Sequence, residues 1–205
     1  MSERAFDLPV YDACAAYAAA TLYEAAGKRG DVGPQIRPLD AGMRVVGPAL
    51  TVRCHPGDSR AVIEALSTAP MGAVLVIDSG ADARATVWGG TSTLLAQRRG
   101  LRGLVTNGAV RDAAEIRASG FPVFSAGISV RGTLKNHAGE IGGLIALGGV
   151  AVATGDLVVG DDDGVVVIPK SLLAELESRA AAQREKEMAL ARLVLAGDDL
   201  RRAYG

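Results

Sequence analysis

The segment Gly103–Asp112, with the sequence GLVTNGAVRD, constrains the fold of this chain most strongly. Its apolar start predicts a buried strand, and the following Asn107-Gly108 predicts a turn that the glycine makes possible. The residues from Ala113 onward are typical of a helix. In open α/β sheets, ligands bind where strands end in such turns. We therefore expect the active site at this strand–turn–helix unit.

Arg111 and Asp112 are the charged residues of this unit. The planar fork of an arginine matches the geometry of a carboxylate, so Arg111 is a candidate for binding an acidic substrate. Asp112 precedes the predicted helix, where it could either cap the N-terminus or bind a hard cation. A single carboxylate suits Mg²⁺, which keeps several of its waters, better than zinc. On spacing alone, a surface arginine and a capping aspartate explain the pair as well.

The composition favours one mixed α/β domain that spans residues 1–205. Hydrophobic residues make up 49% of the chain and charged residues 22%, which is enough for a sizeable core and untypical of disorder. The net charge of −1, without a basic run, argues against direct nucleic-acid binding. The sequence contains no recognisable signal peptide or long apolar span, so we expect a cytoplasmic protein without a membrane partner.

Few residues are available for metal or nucleophile chemistry. The two histidines, His55 and His137, exclude a His-rich zinc site, and no nucleophile motif supports a Ser-His-Asp triad. Cys14 and Cys54 form no close-spaced metal or redox motif. Among four lysines, Lys135 in the loop TLKNHAGE is the one serious candidate for a Schiff base, although a solvated loop lysine explains it equally.

Strands alternate with helices in the first half of the sequence. The predicted elements there are a helix over 12–26 that ends at Gly27, a strand over Arg44–Cys54 with a bend at Gly47-Pro48, a helix capped by Asp58 that reaches about Ala69, a strand over Ala73–Asp78 covered on both faces, and a helix that follows Trp88-Gly89-Gly90 and ends near Arg99.

Short strands dominate the second half, after a central helix that ends at Gly120. The Asp161–Gly164 segment lacks the spacing of an EF-hand and predicts an acidic hairpin turn. The other predicted elements are short strands over Pro122–Ser125 and Gly127–Val130, a glycine-rich crossing over Gly139–Gly143, β-type runs near Val150–Ala153 and Leu157–Val159, and a C-terminal helix over about residues 170–196.

The segment Trp88–Ser92, WGGTS, is a second candidate for ligand binding. The exposed N–H groups of a glycine-rich helix start can bind an anion, although a plain strand-to-helix turn explains the same residues. If this turn and Arg111 face one cleft, a 2-oxo acid could be held by its carboxylate while a metal polarises the adjacent carbonyl.

Four ordered motifs resemble one known family. They are GPALTVRCHPGD, LVTNGAVRD, GFPVFSAG and GDLVVGDDDGVVVIP, at Gly47–Asp58, Leu104–Asp112, Gly120–Gly127 and Gly155–Pro169. The family comprises the regulator of ribonuclease E activity A and the 4-hydroxy-4-methyl-2-oxoglutarate / 4-carboxy-4-hydroxy-2-oxoadipate aldolases. The resemblance runs from about Asp12 to Gly197, and the N-terminal segment Thr21–Gly30 is more similar to the aldolase branch.

The resemblance implies a swivelling β/β/α-type domain with helical N- and C-terminal segments. It implies homotrimers or hexamers with active sites between subunits. It also implies a divalent metal, Mg²⁺ or Mn²⁺, and cleavage of a 4-hydroxy-2-oxo diacid that releases pyruvate, with oxaloacetate decarboxylation as a side activity.

Site residues follow from the resemblance position by position. Asp112 matches the direct metal ligand, and Arg111 matches the residue that binds the carboxylate and carbonyl of pyruvate. Glu187, on the C-terminal helix, matches a carboxylate that reaches the metal-bound waters of a neighbouring subunit. The loop whose backbone amides hold the substrate carboxylate is matched by Gly89, Gly90, Thr91 and Ser92.

One position departs from the aldolase pattern. Aldolases of this family usually carry Asp or Glu, which orders metal-bound water, where this chain has Gly90. The missing acid motivates an alternative function, a non-catalytic oligomeric regulator that binds a ribonuclease or another protein partner.

Overall fold

The computed structural model describes residues 6–80 and 84–197, which form a mixed α/β domain. The strands are β1 Arg37–Pro38, β2 Val45–Arg53, β3 Val74–Asp78, β4 Thr86–Trp88, β5 Gly103–Val110, β6 Val123–Ile128, β7 Glu140–Ile141, β8 Ile145–Leu147, β9 Val150–Val152, β10 Leu157–Asp161 and β11 Gly164–Ile168. The helices are α1 Leu8–Asp12, α2 Ala19–Ala25, α3 Arg60–Thr68, α4 Gly90–Arg98, α5 Ala113–Ser119 and α6 Leu173–Leu195, with 3-10 turns over Ala13–Ala16 and Lys170–Leu172.

Most of the strands form one sheet in the order β1-β6-β5-β3-β2-β10-β11, with β4 paired to β5 and β7 to β2. The strands β6, β5, β3 and β2 run parallel, whereas β1 and the β10–β11 hairpin are antiparallel to their neighbours. Asp31 bridges to Val166 of β11, and Arg37 of β1 donates to the Asp163 carbonyl at 3.0 Å. These contacts bring the two edges of the sheet together, so the sheet is nearly closed.

The central strands are covered on both faces, as their continuous apolar runs predict. Residues 74–77 of β3 are fully buried, and helices α1, α2 and α6 pack at the chain ends. The hairpin predicted at Asp161–Gly164 is present between β10 and β11. Among the described residues, no helix combines the length and apolarity needed to cross a bilayer.

The single N-terminal helix predicted over 12–26 is wrong. The chain forms α1, a 3-10 turn and then α2, with Tyr17 in an extended conformation between them. The guanidinium of Arg44 donates hydrogen bonds to the carbonyls of Ala15 and Tyr17, at 2.8 and 2.5 Å. These bonds give the carbonyls of Ala15 and Tyr17 a partner that a continuous helix would have supplied from its own backbone.

The turn predicted at Asn107-Gly108 is also wrong, because β5 continues to Val110. Its pairing with β6 shifts register between Thr106 and Ala109, so the extra residues form an irregularity within the strand. Val123–Ile128 is consequently one strand that pairs on both sides of this irregularity, where the sequence predicted two strands.

Candidate active site

A cleft of about 340 Å³ opens beyond the carboxyl ends of β4 and β5. Its volume lies in the range of small-molecule sites, which is roughly 300–1,000 Å³. It brings together the two candidate segments, because Arg111, Asp112, Gly89, Thr91 and Ser92 all line it. The other lining residues are Ser59, Val62, Ile63, Thr86, Val87, Trp88, Gly132, Thr133 and Lys135.

The turn at Arg111-Asp112 is held against the end of β4. The N–H of Arg111 donates to the carbonyl of Trp88 at 3.0 Å. Asp112 adopts the left-handed conformation, with φ 57° and ψ 37°, which aspartate tolerates better than most residues. This local geometry turns the chain sharply from β5 into α5 and exposes both charged side chains at the cleft.

Asp112 occupies the N-cap position of α5, but its side chain makes no capping hydrogen bond to that helix, unlike the capping role predicted as one alternative. Its Oδ2 accepts a hydrogen bond of 2.9 Å from the N–H of Gly90, the first residue of α4. The carboxylate therefore joins two segments that are 22 residues apart in the sequence. Its side chain stays 40% exposed.

Gly89 allows the two segments to approach closely. A Cβ atom at this position would lie 2.6 Å from Oδ2 of Asp112 and 3.2 Å from Cγ of Arg111. At Gly90, a Cβ atom would collide with Oε2 of Glu115 on α5. The carboxylate of Glu115 thus occupies the space that a side chain at position 90 would need, in a shallow depression beside the cleft.

The guanidinium of Arg111 is available to a ligand. Its side chain is 52% exposed, and its Nε lies 3.7 Å from Oδ2 of Asp112. Nη1 would lie 3.5 Å from a Cβ atom at Gly132, so the guanidinium also borders the opposite wall of the cleft. An arginine has five N–H donors, and this loose ion pair leaves most of them free.

Trp88, from the predicted WGGTS segment, and Thr93, which the sequence did not indicate, stabilise the start of α4. The buried indole of Trp88 donates to Oγ1 of Thr93 at 2.8 Å, and this hydroxyl donates to the carbonyl of Gly89 at 3.2 Å. The polar atom of a buried Trp usually finds such a partner, which is the one signal that could have indicated Thr93. The two bonds fix the backbone of the Gly89 turn.

Gly132, Thr133 and Lys135 form the opposite wall of the cleft. The segment that follows them is held by the buried residue Asp58, which is 1% exposed. Its Oδ1 accepts from the N–H of Arg60, at the start of α3 as the sequence predicted, although Ser59 occupies the N-cap position. Its Oδ2 accepts from the N–H groups of Asn136 and His137, at 2.7 and 3.0 Å. Burial alone would raise the pKa of Asp58, but these backbone bonds and the His137 ring outweigh it and lower the pKa.

The histidines and cysteines lie outside the cleft lining. The rings of His55 and His137 stack with centroids 4.5 Å apart. Burial raises the pKa of the Cys54 thiol to about 12, with added effects of Asp78 and Asp58, and burial raises that of Cys14 to about 11, with a further effect of Glu177. Neither thiol is therefore activated as a nucleophile.

The donor set of the cleft fits a hard cation and not zinc. Within residues 6–80 and 84–197, no group of three or more His, Cys, Asp or Glu side chains is arranged to hold a metal. In the part of the chain that the structure describes, Asp112 is the one carboxylate that lines the cleft. Mg²⁺ and related cations need one or two carboxylates and keep several waters, whereas zinc sites use three or four protein ligands.

Glu187 lies away from the cleft of its own chain. On α6, its Oε2 accepts from Oγ1 of Thr21 and its Oε1 from Nε2 of Gln183, both at 3.1 Å. The role predicted for Glu187 therefore stays a prediction that requires a neighbouring subunit.

Comparisons with known proteins agree with this architecture. The family model described as RraA-like, Aldolase/RraA, matches residues 10–167. A protein of Halalkalibacterium halodurans named putative 4-hydroxy-4-methyl-2-oxoglutarate aldolase is 38% identical over 165 residues, which are 78% of this chain and 79% of that protein. An uncharacterized Pseudomonas syringae protein of known structure has a TM-score of 0.83 at 29% identity and covers 96% of this chain and 97% of its own. The structure of RraAS2 from Streptomyces coelicolor, described as an unusual member of the RNase ES inhibitor RraA protein family, has a TM-score of 0.77 at 29% identity and covers 90% of this chain and 97% of its own.

Proposed function

Because this chain belongs to the Aldolase/RraA family, we propose that it is a divalent-metal-dependent lyase that cleaves a 4-hydroxy-2-oxo diacid and releases pyruvate. We include oxaloacetate decarboxylation as a second activity, since both reactions leave an enolate of pyruvate. The observation that carries the proposal is the meeting of Arg111, Asp112 and the start of α4 in one cleft.

The carboxylate of the 2-oxo acid would bind at the start of α4. The first N–H groups of a helix have no carbonyl partner within the helix, and here the N–H of Gly90 donates to Asp112. The N–H groups of Thr91 and Ser92 remain for a substrate carboxylate, which the helix dipole also favours. Arg111 would add a bidentate contact to the same end of the substrate.

Asp112 would hold Mg²⁺ or Mn²⁺, which supplies Lewis-acid polarisation of the 2-oxo group when bound. Arg111 would stabilise the negative charge that develops on the oxo oxygen as the C–C bond breaks. A single preorganised donor of this kind is typically worth about 2.7–4 kcal/mol. Neither histidine lines the cleft, so the proposal assigns no proton transfer to an imidazole.

A pyruvate-release assay tests this function. The purified protein is incubated with a panel of 4-hydroxy-2-oxo diacids and oxaloacetate, with Mg²⁺, with Mn²⁺ or with EDTA. We expect release that requires the metal. Absence of release from every substrate with either metal would refute the proposal.

A second candidate function is a non-catalytic regulator that binds a ribonuclease or another protein. Two observations favour it: the acid usual in the aldolases is absent at Gly90, and a structural neighbour is described as belonging to an RNase inhibitor family. Inhibition of a purified ribonuclease by this chain, together with no turnover of any oxo acid, would support this alternative.

We further propose that the chain forms a homotrimer or hexamer. Val130 is 95% exposed and Leu134 is 60% exposed, and both lie beside the cleft-lining residues Gly132 and Lys135. A subunit interface would cover this apolar surface. Light scattering coupled to size-exclusion chromatography measures the mass directly, and a monomer at assay concentration would contradict the proposal.

A further inference from the structure

We propose that Lys135 forms a second anion subsite, which binds the far carboxylate of a diacid and makes the cleft selective for diacids over monoacids. This inference rests on the proposed function, because it assumes that the first carboxylate of the substrate binds at Arg111 and the start of α4. It assigns to Lys135 the role of a point charge and not of a Schiff-base amine.

The charges that line the cleft support this assignment. Among the described residues they are Arg111, Asp112 and Lys135, which come from two different walls. Arg111 already lies near Asp112, whereas the ammonium of Lys135 makes no ion pair or hydrogen bond with another described residue. A cation bound by Asp112 would make the cleft more positive still. A dianion therefore matches the cleft better than a monoanion does.

The backbone on either side of the exposed residue Lys135 is fixed by hydrogen bonds. On one side, Leu134 exchanges two backbone hydrogen bonds of 2.9 Å with the segment 57–59. On the other side, the N–H of Asn136 donates to the buried carboxylate of Asp58 at 2.7 Å. A solvated surface lysine has no need of this support, whereas a binding residue gains from it because less entropy is lost when a ligand binds.

The same segment is fixed further upstream. Oγ1 of Thr133 contacts Oγ of Ser59 at 2.7 Å and donates to the carbonyl of Thr86 at 3.2 Å. The wall that carries Lys135 is therefore joined to both β4 and α3. The ammonium then moves only through the rotamers of its own side chain.

Arg111 and Lys135 line one cleft whose size suits a small diacid. The guanidinium of Arg111 borders Gly132, where Nη1 would lie 3.5 Å from a Cβ atom. Lys135 is three residues further along the chain, so its Cα atom lies at most roughly 10–11 Å from that of Gly132. Because both side chains line one cleft of about 340 Å³, we expect a single short oxo diacid to reach both cations.

Calorimetric titration with two ligands of equal length tests the proposal without requiring turnover. 2-Oxoglutarate and 2-oxopentanoate share the 2-oxo acid end, differ in the second carboxylate, and lack the 4-hydroxyl group needed for cleavage. In the presence of Mg²⁺, we expect the intact protein to bind 2-oxoglutarate roughly five- to tenfold more tightly, the effect of one partly solvated ion pair.

Three variants test whether Lys135 causes the preference for 2-oxoglutarate. Lys135→Ala should abolish it while leaving the affinity for 2-oxopentanoate unchanged, and Lys135→Arg should retain it because the charge is kept. Lys170→Ala removes a lysine outside the cleft and should bind both ligands as the intact protein does. The proposal would be overturned if Lys135→Ala kept the preference or lost affinity for both ligands equally. It would also be overturned if the intact protein showed no preference.

The outcomes also separate this inference from the proposed function. A preference for 2-oxoglutarate that depends on Lys135, without pyruvate release from any 4-hydroxy-2-oxo diacid, would refute the lyase and support the subsite. Metal-dependent pyruvate release at equal rates from diacids and monoacids in the intact protein would support the lyase and refute the subsite.

Discussion

Oδ2 of Asp112 accepts a hydrogen bond of 2.9 Å from the backbone N–H of Gly90. The residue proposed to hold the metal thereby also fixes the start of the helix proposed to hold the substrate carboxylate. A carboxylate that accepts at the first turn of α4 satisfies a donor that the helix cannot pair itself. Structural and chemical roles therefore meet in one side chain, and substitution can separate them.

Asp112→Asn and Asp112→Ala separate these two roles. Asparagine keeps an acceptor for Gly90 and tolerates the left-handed backbone, so we expect Asp112→Asn to unfold near the wild-type denaturant midpoint. Alanine loses the acceptor, and we expect a free energy of unfolding lower by about 0.5–2 kcal/mol. Both variants should lose metal-dependent pyruvate release. Normal release by Asp112→Asn with the same metal requirement would exclude the metal role.

Arg111→Lys tests the planar contact with the substrate. An ammonium keeps the charge but cannot make two parallel hydrogen bonds to one carboxylate, so we expect kcat/KM for pyruvate release to fall on the order of 100-fold. The matched control is Arg99→Lys, at an exposed position after α4 that does not line the cleft. Equal kcat/KM values for the two variants would contradict the proposed role of Arg111.

The position of the turn at Arg111-Asp112 was predictable in part. The residue pattern predicts a strand, a turn and a helix here, and the three are present, but Asn107-Gly108 wrongly indicated the position of the turn. Gly108 serves a different purpose, since a Cβ atom there would lie 2.8 Å from Ser79. The side chain of Asn107 accepts from the N–H and hydroxyl of Ser79. A close approach between strands requires glycine as much as a turn does, and local sequence does not distinguish the two.

The opposite wall of the cleft, which carries Lys135, was not predictable from local sequence patterns. Lys135 appeared as a loop lysine of the TLKNHAGE segment because the bonds that fix it come from residues nearly 80 positions earlier. Asp58 and Asn136, for example, are 78 residues apart. Such contacts follow from the sheet order and not from any local propensity, so only the fold brings Lys135 and Arg111 into one cleft.

Gly90→Asp tests whether the missing acid limits catalysis. The exposed side chain of Glu115 would have to move aside for the new side chain, and two neighbouring carboxylates disfavour each other's ionised forms. We therefore expect Gly90→Asp alone to change the rate of pyruvate release little. The double variant Gly90→Asp/Glu115→Ala removes the obstruction, and we expect its rate to rise on the order of tenfold over that of Glu115→Ala. Equal rates in these two proteins would show that the acid is not limiting.

Asp58→Asn tests whether the Asp58 carboxylate stabilises the cleft wall. The property measured is the free energy of unfolding at acid pH. Although burial opposes it, hydrogen bonding by backbone N–H groups lowers the pKa of Asp58 in the folded state below its unfolded value of about 3.9. The stability that Asp58 contributes is therefore present above that pH and is lost as the pH falls below it, because the unfolded state then binds a proton that the folded state does not.

Urea unfolding between pH 6 and pH 3 measures this contribution. The wild-type free energy of unfolding should fall as the pH drops below about 4, and Asp58→Asn should be less stable at pH 6 with a weaker fall, since an amide does not titrate in this range. Asp163→Asn, at the exposed hairpin turn, controls for the general effect of removing one carboxylate and should follow the wild-type curve. Parallel curves for Asp58→Asn and the wild type would show that the buried carboxylate does not couple protonation to folding.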